Sequence, residues 1–237
     1  MRGKMGKLFD FMHGRLRPRA EDDALHIAAY EGDTVRIGEL ITERGADPNL
    51  SLATMMSASI ERTALFLAIQ EHNLAAARLL VELGADPDLR DGQNVTPLMS
   101  AAALGNIDLV QLLLDLGADP NAYRDSDHAS PLSFSIHEDD PDAILPIVSA
   151  LIAAGADPEG AVAAGQSVLM LAARQNLPAV IRTLLAAGAD PDRTCTLTWA
   201  LGWTALDHAI HEASANAQEV LAPVTTLPVT VLPVKTS

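Results

Sequence analysis

The sequence predicts an all-α solenoid, in which short helix-turn-helix units stack side by side. Two recurring motifs predict this fold. The pentad Gly-Ala-Asp-Pro-x occurs five times, and its glycines are Gly45, Gly84, Gly117, Gly155 and Gly188. A Ser/Thr/Asp-x-Leu motif stands at the corresponding place in each of six units, beginning at Asp23, Thr63, Thr96, Ser130, Ser167 and Thr204. A unit that recurs at about 33 residues is typical of stacked helical repeats.

We interpret each Ser/Thr/Asp-x-Leu motif as the start of a short first helix. The leading side chain can accept hydrogen bonds from the free N–H groups of a helix N-terminus. Proline at the next position, as in Thr96-Pro97-Leu98, loses no helical hydrogen bond. Small apolar pairs such as Ala28-Ala29 and Ala101-Ala102 follow, and small side chains allow neighbouring helices to approach closely.

We interpret each pentad as the end of a longer second helix, because an apolar run precedes it, as in Leu79–Leu83. Glycine accepts the left-handed conformation that closes a helix C-terminus. The proline three residues later cannot continue a helix and pushes the aspartate before it toward extended geometry. The chain between a pentad and the next cap is therefore an extended segment, which we call a finger.

This unit resembles the ankyrin repeat, whose pattern is Thr-Pro-Leu-His-x-Ala followed later by Gly-Ala-Asp-x-Asn. Asp23–Ala29 and Thr96–Ala102 match the first part of that pattern well. The resemblance covers residues 22–221 and divides them into six repeats: 22–49, 50–88, 89–121, 122–159, 160–192 and 193–221. It implies an ankyrin repeat solenoid with extended β-turn fingers, preceded by a basic segment or cap at 1–21 and followed by a Pro/Val/Thr-rich tail at 222–237.

The resemblance also implies a non-enzymatic module that binds another protein through its concave face and fingers. The candidate partner-binding residues are those in the corresponding positions: Tyr30, Arg62, Gln70, Glu71, Val95, Leu104, Tyr123, Arg124, His137, Glu138, Gln166, Arg174, Trp199, Trp203 and His211. In particular, the residue before each cap is expected to point into the groove. His26 occupies the histidine position of the pattern, where it is expected to connect adjacent fingers by hydrogen bonds.

The net charge of the chain indicates which kind of partner molecule it favours. The chain contains 31 acidic and 16 basic residues, a net charge of −15. Such an array repels phosphates, so we expect no nucleic-acid binding. A basic partner protein would meet it faster, and an immunity-type inhibitor that neutralises a basic protein fits this pattern.

No catalytic residues, cofactor or bound metal are expected, because no nucleophile elbow, phosphate loop or His-Glu-x-x-His motif is present. The single cysteine, Cys195, can form no intramolecular disulfide. No apolar stretch reaches the roughly 20 residues that span a bilayer, and no signal-peptide core is seen at the N-terminus. We therefore expect a soluble, cytoplasmic protein that is a monomer.

The basic N-terminal segment has several interpretations. Met5, Leu8, Phe9, Met12 and Leu16 recur at helical spacing among basic residues. They could cover the first repeat or belong to a loosely ordered tail. Alternatively, they could form a membrane-surface helix, which would make the chain a membrane-peripheral adaptor, or a targeting segment.

Four further segments depart from the repeat pattern. The finger of residues 50–62 is long and contains Met55-Met56, and an acidic run begins at His137. That run suggests a solvated turn, or a site for a cation or a basic partner; a metal site using His137, His208 and His211 is a separate alternative. The last finger holds both tryptophans. The tail of residues 222–237 is expected to fold back over the last repeat or to dock on another chain.

Overall fold

The structure, a computed structural model, describes residues 20–54, 57–136, 141–162 and 165–230. The predicted features at residues 1–19, Met55-Met56, 137–140 and 231–237 lie outside these ranges. The chain divides into two compact units, Met1–Asp86 and Pro87–Ser237. Both are built from antiparallel helix pairs joined by short turns, as the sequence predicts.

The first unit contains two helix pairs and a hairpin. Its described elements are α1 (Ala20–Glu31), α2 (Thr34–Thr42), β1 (Leu52–Thr54), β2 (Ser57–Arg62), α3 (Ala64–Gln70) and α4 (Leu74–Glu82). Helix α1 packs against α3, and α2 packs against α4, so the two pairs stack in parallel. The long finger between them is an antiparallel hairpin in which Leu52 lies opposite Arg62.

The second unit contains four helix pairs. Its described helices are α5 (Pro97–Ala103), α6 (Ile107–Asp115), α7 (Pro131–Phe134), α8 (Pro141–Ala153), α9 (Val168–Arg174), α10 (Pro178–Ala186), α11 (Ala205–His211) and α12 (Ala215–Leu221). A second, minimal hairpin pairs β3 (Ala161–Val162) with β4 (Gln166–Ser167). First helices pack on first helices, as α9 does on α11, and second helices on second helices, as α10 does on α12.

The predicted helix starts are confirmed at five of the six motifs. Thr63, Thr96, Ser130, Ser167 and Thr204 are N-caps whose side chains accept from the backbone N–H three residues on. The prediction for Asp23 is wrong, because α1 begins before it and Asp23 lies within the first turns of the helix. Its neighbour Asp22 instead accepts a hydrogen bond from the backbone N–H of Asp47 at 3.1 Å.

The predicted glycine stops are also confirmed. After α4, Gly84 adopts a φ of +102°, and its N–H donates to the Val81 carbonyl at 3.0 Å. The next N–H, of Ala85, donates to the Leu80 carbonyl at 2.9 Å. This pair of bonds satisfies carbonyl groups that the helix itself leaves without partners.

Within each unit, hydrogen bonds connect each pentad to the next pentad along the chain. In the first unit, the Asn49 side chain accepts from the Asp86 N–H at 2.7 Å and donates to the Gly84 carbonyl at 2.9 Å. In the second unit the same acceptor role falls to the last residue of the next three pentads: Asp88, Asn121 and Glu159. The variable fifth residue of the pentad therefore sets how adjacent repeats are joined.

The core lies where the first helices meet. The alanine pairs Ala28-Ala29, Ala101-Ala102 and Ala172-Ala173 are fully buried, which allows the helix backbones to approach closely. Leucine and isoleucine side chains of the second helices, such as Leu109 and Ile181, complete the interior. Burying one such side chain contributes roughly 1.5–3 kcal/mol. None of the helices in the described ranges is long and apolar enough to cross a membrane.

Candidate functional site

The last finger is held in one conformation by its own backbone. The Cys195 N–H donates to the Trp203 carbonyl at 2.8 Å, and the Gly202 N–H donates to the Cys195 carbonyl at 2.9 Å. A short 3₁₀ turn, Thr198–Ala200, forms the tip. Gly202, with a φ of +81°, permits the sharp return of the chain. The two tryptophans are thus presented on a closed loop rather than on an open strand.

Trp199 projects from this loop on a support of other rings. It is 51% exposed, whereas Trp203 is only 4% exposed. The Trp199 ring meets Trp203 edge-to-face at a centroid distance of 5.6 Å, and it meets His208 at 5.9 Å. Edge-to-face contacts of this kind stabilise an aromatic pair beyond the area that they bury. A binding partner would therefore meet an indole whose position is already fixed.

His208 is the buried part of that support. Its side chain lies 5.2 Å from the Trp203 ring centroid. Burial, together with charge repulsion from nearby Arg174, lowers the pKa of His208 from 6.5 to about 4. Among the described residues, its Nε2 has no hydrogen-bond partner. His208 is therefore a neutral ring near pH 7, and it supports the tryptophans by packing.

His211 and Glu212 border the tryptophans at the end of α11. The His211 ring lies 5.0 Å from Trp203 and 6.4 Å from Trp199. Its Nδ1 lies 3.1 Å from a carboxylate oxygen of exposed Glu212. Glu212 thus places a negative charge beside the aromatic cluster.

A second exposed aromatic side chain lies on the finger before α7. Tyr123 is 50% exposed and stacks on His128, with centroids 5.6 Å apart and rings inclined by 8°. The Arg90 guanidinium lies over the Tyr123 ring at 5.8 Å. Asp125 accepts from Arg90 at 3.2 Å and from the Asn94 amide at 2.5 Å. These bonds join two neighbouring fingers and hold Tyr123 in place.

The Arg124 side chain, by contrast, forms its hydrogen bonds within its own finger. Its guanidinium donates to Asp127 through Nε at 2.9 Å and through Nη2. The group also lies 5.1 Å from the centre of the Phe134 ring. The hydrogen bond from Arg124 lowers the pKa of Asp127, and the same bond raises the pKa of Arg124. The pair rigidifies the finger that carries Tyr123.

The predicted partner-binding residues fall into three groups. Tyr30, Glu71, Leu104, Tyr123 and Trp199 are exposed, whereas Arg62, Gln70, Arg124, Arg174 and His211 are half-buried. Val95, Gln166 and Trp203 are buried. His137 and Glu138 lie outside the described residues. Contact of the exposed and half-buried residues with a partner stays a prediction.

The expectation that the residue before each cap points into the groove needs correction. This position is held by Arg62, which is half-buried, and by four buried residues: Val95, Ala129, Gln166 and Trp203. The reason is that their backbones form the closed stems of the fingers. The Val95 carbonyl accepts from the Asp91 N–H at 2.9 Å, and Val95 donates to the Asp91 carboxylate at 3.0 Å. Such stems turn the side chain inward.

His26 has a structural role, as predicted, but it joins its own helix to one finger instead of joining two adjacent fingers. Its Nδ1 lies 2.8 Å from the Asp22 carbonyl oxygen, and its Nε2 lies 3.1 Å from the Arg62 carbonyl oxygen. Arg62 ends the hairpin and donates from Nη1 to Gln70 at 2.9 Å. His26 thus connects the first repeat to the finger of the second.

Two further interpretations rest on histidines and on the N-terminal segment. In the described part of the chain, no three His, Cys, Asp or Glu side chains converge as a metal would require. The segment 1–19, which carries the membrane-surface interpretation, lies outside that part, as does His137.

Sequence reasoning missed two exposed residues beside the predicted ones. Leu201 is among the exposed large apolar residues, and its place between the two tryptophans could have drawn attention to it. His128 has a φ of +59° and supports Tyr123. No sequence pattern indicates that ring stack, because it depends on how the finger turns.

Two family models match the chain. The model described as ankyrin repeats (3 copies) matches residues 25–124, and the model described as ankyrin repeat matches residues 164–195. The chain belongs to the ankyrin repeat family. A curated relative, the ankyrin repeat and KH domain-containing protein mask-1 of Caenorhabditis elegans, is 36% identical over 82 residues, which are 35% of this chain and 3% of that protein. The match therefore spans only a small part of that relative.

Solved ankyrin structures share the fold over most of this ankyrin chain. A structure of EF0377, an ankyrin repeat protein, aligns with a TM-score of 0.71 and 21% identity, over 86% of this chain and 98% of that one. A chain from a complex of the Bd0816 predatory endopeptidase of Bdellovibrio bacteriovorus with immunity protein Bd3460 aligns with a TM-score of 0.69 and 22% identity. That alignment covers 84% of this chain and 97% of the other.

Proposed function

We propose that this ankyrin protein binds a basic partner protein through the fingers of its second unit and inhibits that partner. Ankyrin repeats mediate protein–protein interaction, and ankyrin repeat proteins are generally not enzymes. The contact surface that we propose, the finger surface, consists of Tyr123, Asp125, His128, Trp199 and Leu201. The observation that carries the proposal is Trp199, half exposed yet fixed by packed rings.

Rigid exposed aromatic side chains are suited to protein recognition. Tyrosine and tryptophan are enriched among the few residues that supply most of the binding energy at interfaces. A side chain that is already ordered loses little conformational entropy when it binds. Tyr123 and Trp199 meet this condition, because hydrogen bonds close their fingers and neighbouring rings support them.

Charge supports a basic partner. The second unit contains 18 acidic and 6 basic residues, whereas the first unit contains 13 and 10. The second unit thus carries most of the negative charge of the chain. Such a field accelerates encounter with a positively charged protein more than it raises affinity.

An inhibitory role is favoured by one structural relative. The matched chain comes from a complex between an endopeptidase and an immunity protein. We infer that the present chain acts in the same general manner, as a monomer in the cytoplasm that blocks one target protein. The buried free thiol of Cys195 is consistent with a reducing compartment.

Affinity capture with matched variants tests this proposal. The wild type should capture one basic protein from the source cells at about 50 mM salt, and the purified pair should form a one-to-one complex. Tyr123→Ala/Trp199→Ala should weaken that complex at least about 30-fold, because the loss of even one hot-spot side chain costs roughly 2 kcal/mol. The partner's own activity should fall when the wild type is added.

The control replaces two exposed apolar residues outside the finger surface. Ile27→Ala/Val35→Ala changes side chains that are at least as exposed as Tyr123, and it should leave the dissociation constant within twofold. Trp203 is left unchanged, because it is buried and its loss would damage the finger. Equal binding by wild type and Tyr123→Ala/Trp199→Ala, or capture of an acidic protein, would refute the proposal.

A further inference from the structure

The segment that follows the last helix lies against the last repeat. Helix α12 ends at Leu221, and we call residues 224–230 the C-terminal strap. The strap is free of helix and strand. Its contacts agree with the prediction that the tail folds back over the last repeat.

Two aspartates hold the strap by two threonines. Asp192 accepts from the backbone N–H groups of Thr226 at 2.7 Å and Leu227 at 3.1 Å, and also from the Thr226 hydroxyl. Asp207 accepts from the Thr230 N–H at 2.7 Å and from the Thr230 hydroxyl at 3.3 Å. Each carboxylate therefore recognises both the amide and the hydroxyl of one threonine.

The strap occupies the hydrogen-bonding position that a following pentad would occupy. Asn121 and Glu159 each accept the N–H of the next pentad aspartate in the second unit. Asp192 is the equivalent residue of the last pentad, and it accepts the Thr226 N–H instead. The position that a following pentad would occupy is thus filled by the strap.

The strap buries little apolar surface against the rest of the chain. Val224, Leu227 and Val229 are 41%, 43% and 46% exposed, so their side chains face solvent. Hydrogen bonds to charged groups contribute only roughly 1.5–3 kcal/mol each. The bonds at Asp192 are exposed, whereas those at Asp207 are partly buried, and segments with few buried apolar contacts are the first to open. The strap is therefore bound by polar recognition that another segment could reproduce.

We propose that Asp192 and Asp207 form a binding site for an extended peptide that carries two threonines four residues apart, and that the chain's own strap is its replaceable occupant. The ligand class follows from the contacts. Both hydroxyls donate, so valine at either position removes a hydrogen bond. An acidic residue there would be repelled by the carboxylates. This site is separate from the finger surface proposed above.

A labelled octapeptide with the sequence of residues 223–230 provides the probe. The receptor is the full-length variant Thr226→Asp/Thr230→Asp, whose own strap is repelled from the site. Fluorescence anisotropy should show saturable binding to this variant and at least tenfold weaker binding to the wild type, because the wild-type strap competes. If the variant does not fold by circular dichroism, Thr226→Val/Thr230→Val replaces it.

Peptides with substituted threonines test whether the two threonine hydroxyls are required for binding. Valine in place of both Thr226 and Thr230 should weaken binding at least tenfold. Valine in place of Thr225 is the matched control, because the Thr225 hydroxyl donates to the Leu221 carbonyl instead, and this peptide should bind like the original. Equal binding of the double-valine peptide would overturn the proposal.

Two further measurements complete the test. The proposal would be overturned if the amides of Thr226, Leu227 and Thr230 resist hydrogen exchange in the wild type and the folded variant binds no peptide at millimolar concentration. The strap would then be a fixed end cap. Light scattering distinguishes the sources of ligand. Dimers of the wild type would show strap exchange between copies, whereas a monomer that binds the peptide accepts a segment from another protein.

Discussion

The first and last repeats use opposite chemistry at the same position of the repeat pattern. In the first, His26 faces two carbonyl oxygens and connects to the finger that follows. In the last, Asp207 faces N–H and O–H donors and connects to the strap. In these two repeats the polarity of the side chain matches the segment that follows, because the hairpin finger offers a carbonyl oxygen and the strap offers an amide. The other repeats have Phe66, Met99, Ser133 and Met170 at this position.

Removing Asp207 should have the largest effect. It is fully buried, and it accepts from the Thr204 N–H at 2.8 Å as well as from Thr230. Asp207→Ala leaves several donors without an acceptor, so the free energy of unfolding should fall by about 3–5 kcal/mol. Urea unfolding followed by tryptophan fluorescence measures it. Asp207→Asn keeps one acceptor oxygen and should lose less; an equal loss would contradict the hydrogen-bond explanation.

Removing His26 should have the next largest effect, confined to the first unit. His26→Ala breaks both carbonyl contacts and should cost about 1–3 kcal/mol. Hydrogen exchange should increase in the first unit. Ile27→Ala changes the adjacent exposed side chain and should remain within about 0.5 kcal/mol of wild type. An equally large loss of unfolding free energy in that control would show that substitution in the helix itself, rather than loss of the His26 contacts, destabilises the unit.

The pH dependence of stability should depend on His208, next to Asp207. Its pKa is about 4 in the folded chain and 6.5 in the unfolded chain. Between these values the unfolded chain binds more protons, so stability should fall as the pH drops from 6.5 to 4. His208→Phe should flatten this part of the profile and change stability little at pH 7. An unchanged slope in urea titrations at pH 7, 5.5 and 4.5 would exclude His208 as the cause.

The smallest effect on stability is expected from the contact between Asp192 and the strap. The Thr226 hydroxyl, followed by the Leu227 N–H, lowers the pKa of Asp192 below 3.8. Its stabilising contribution is therefore present above pH 3.8 and is lost as the pH falls through the lower folded value. Exchange of the Thr226 amide, corrected for intrinsic rates, should show this loss. Asp192→Asn should show no such transition, and a transition that persists in it would point to another carboxylate.

The fingers show where prediction from sequence reaches its limit. The sequence singles out both tryptophans of the last finger, but Trp199 is exposed whereas Trp203 is buried. Val95 and Gln166 were expected in the groove for the same positional reason as Trp203, and all three are buried. The side to which such a residue turns depends on how its finger stem closes. Repeat register alone contains no information about that closure.

The sequence by itself determined the helix pairs, five of the six caps of the first helices and the glycine stops. Each of these depends on hydrogen bonds that close within a few residues, as Thr96 does with Met99, so a local pattern is sufficient. Only the tertiary structure decided that Tyr123 rests on His128 and Arg90, that Trp199 rests on α11, and that Asp192 and Asp207 hold the strap. Most of these contacts join different fingers or helices, and the strap contacts join residues 23 to 35 positions apart. Their geometry exists only after the repeats have stacked.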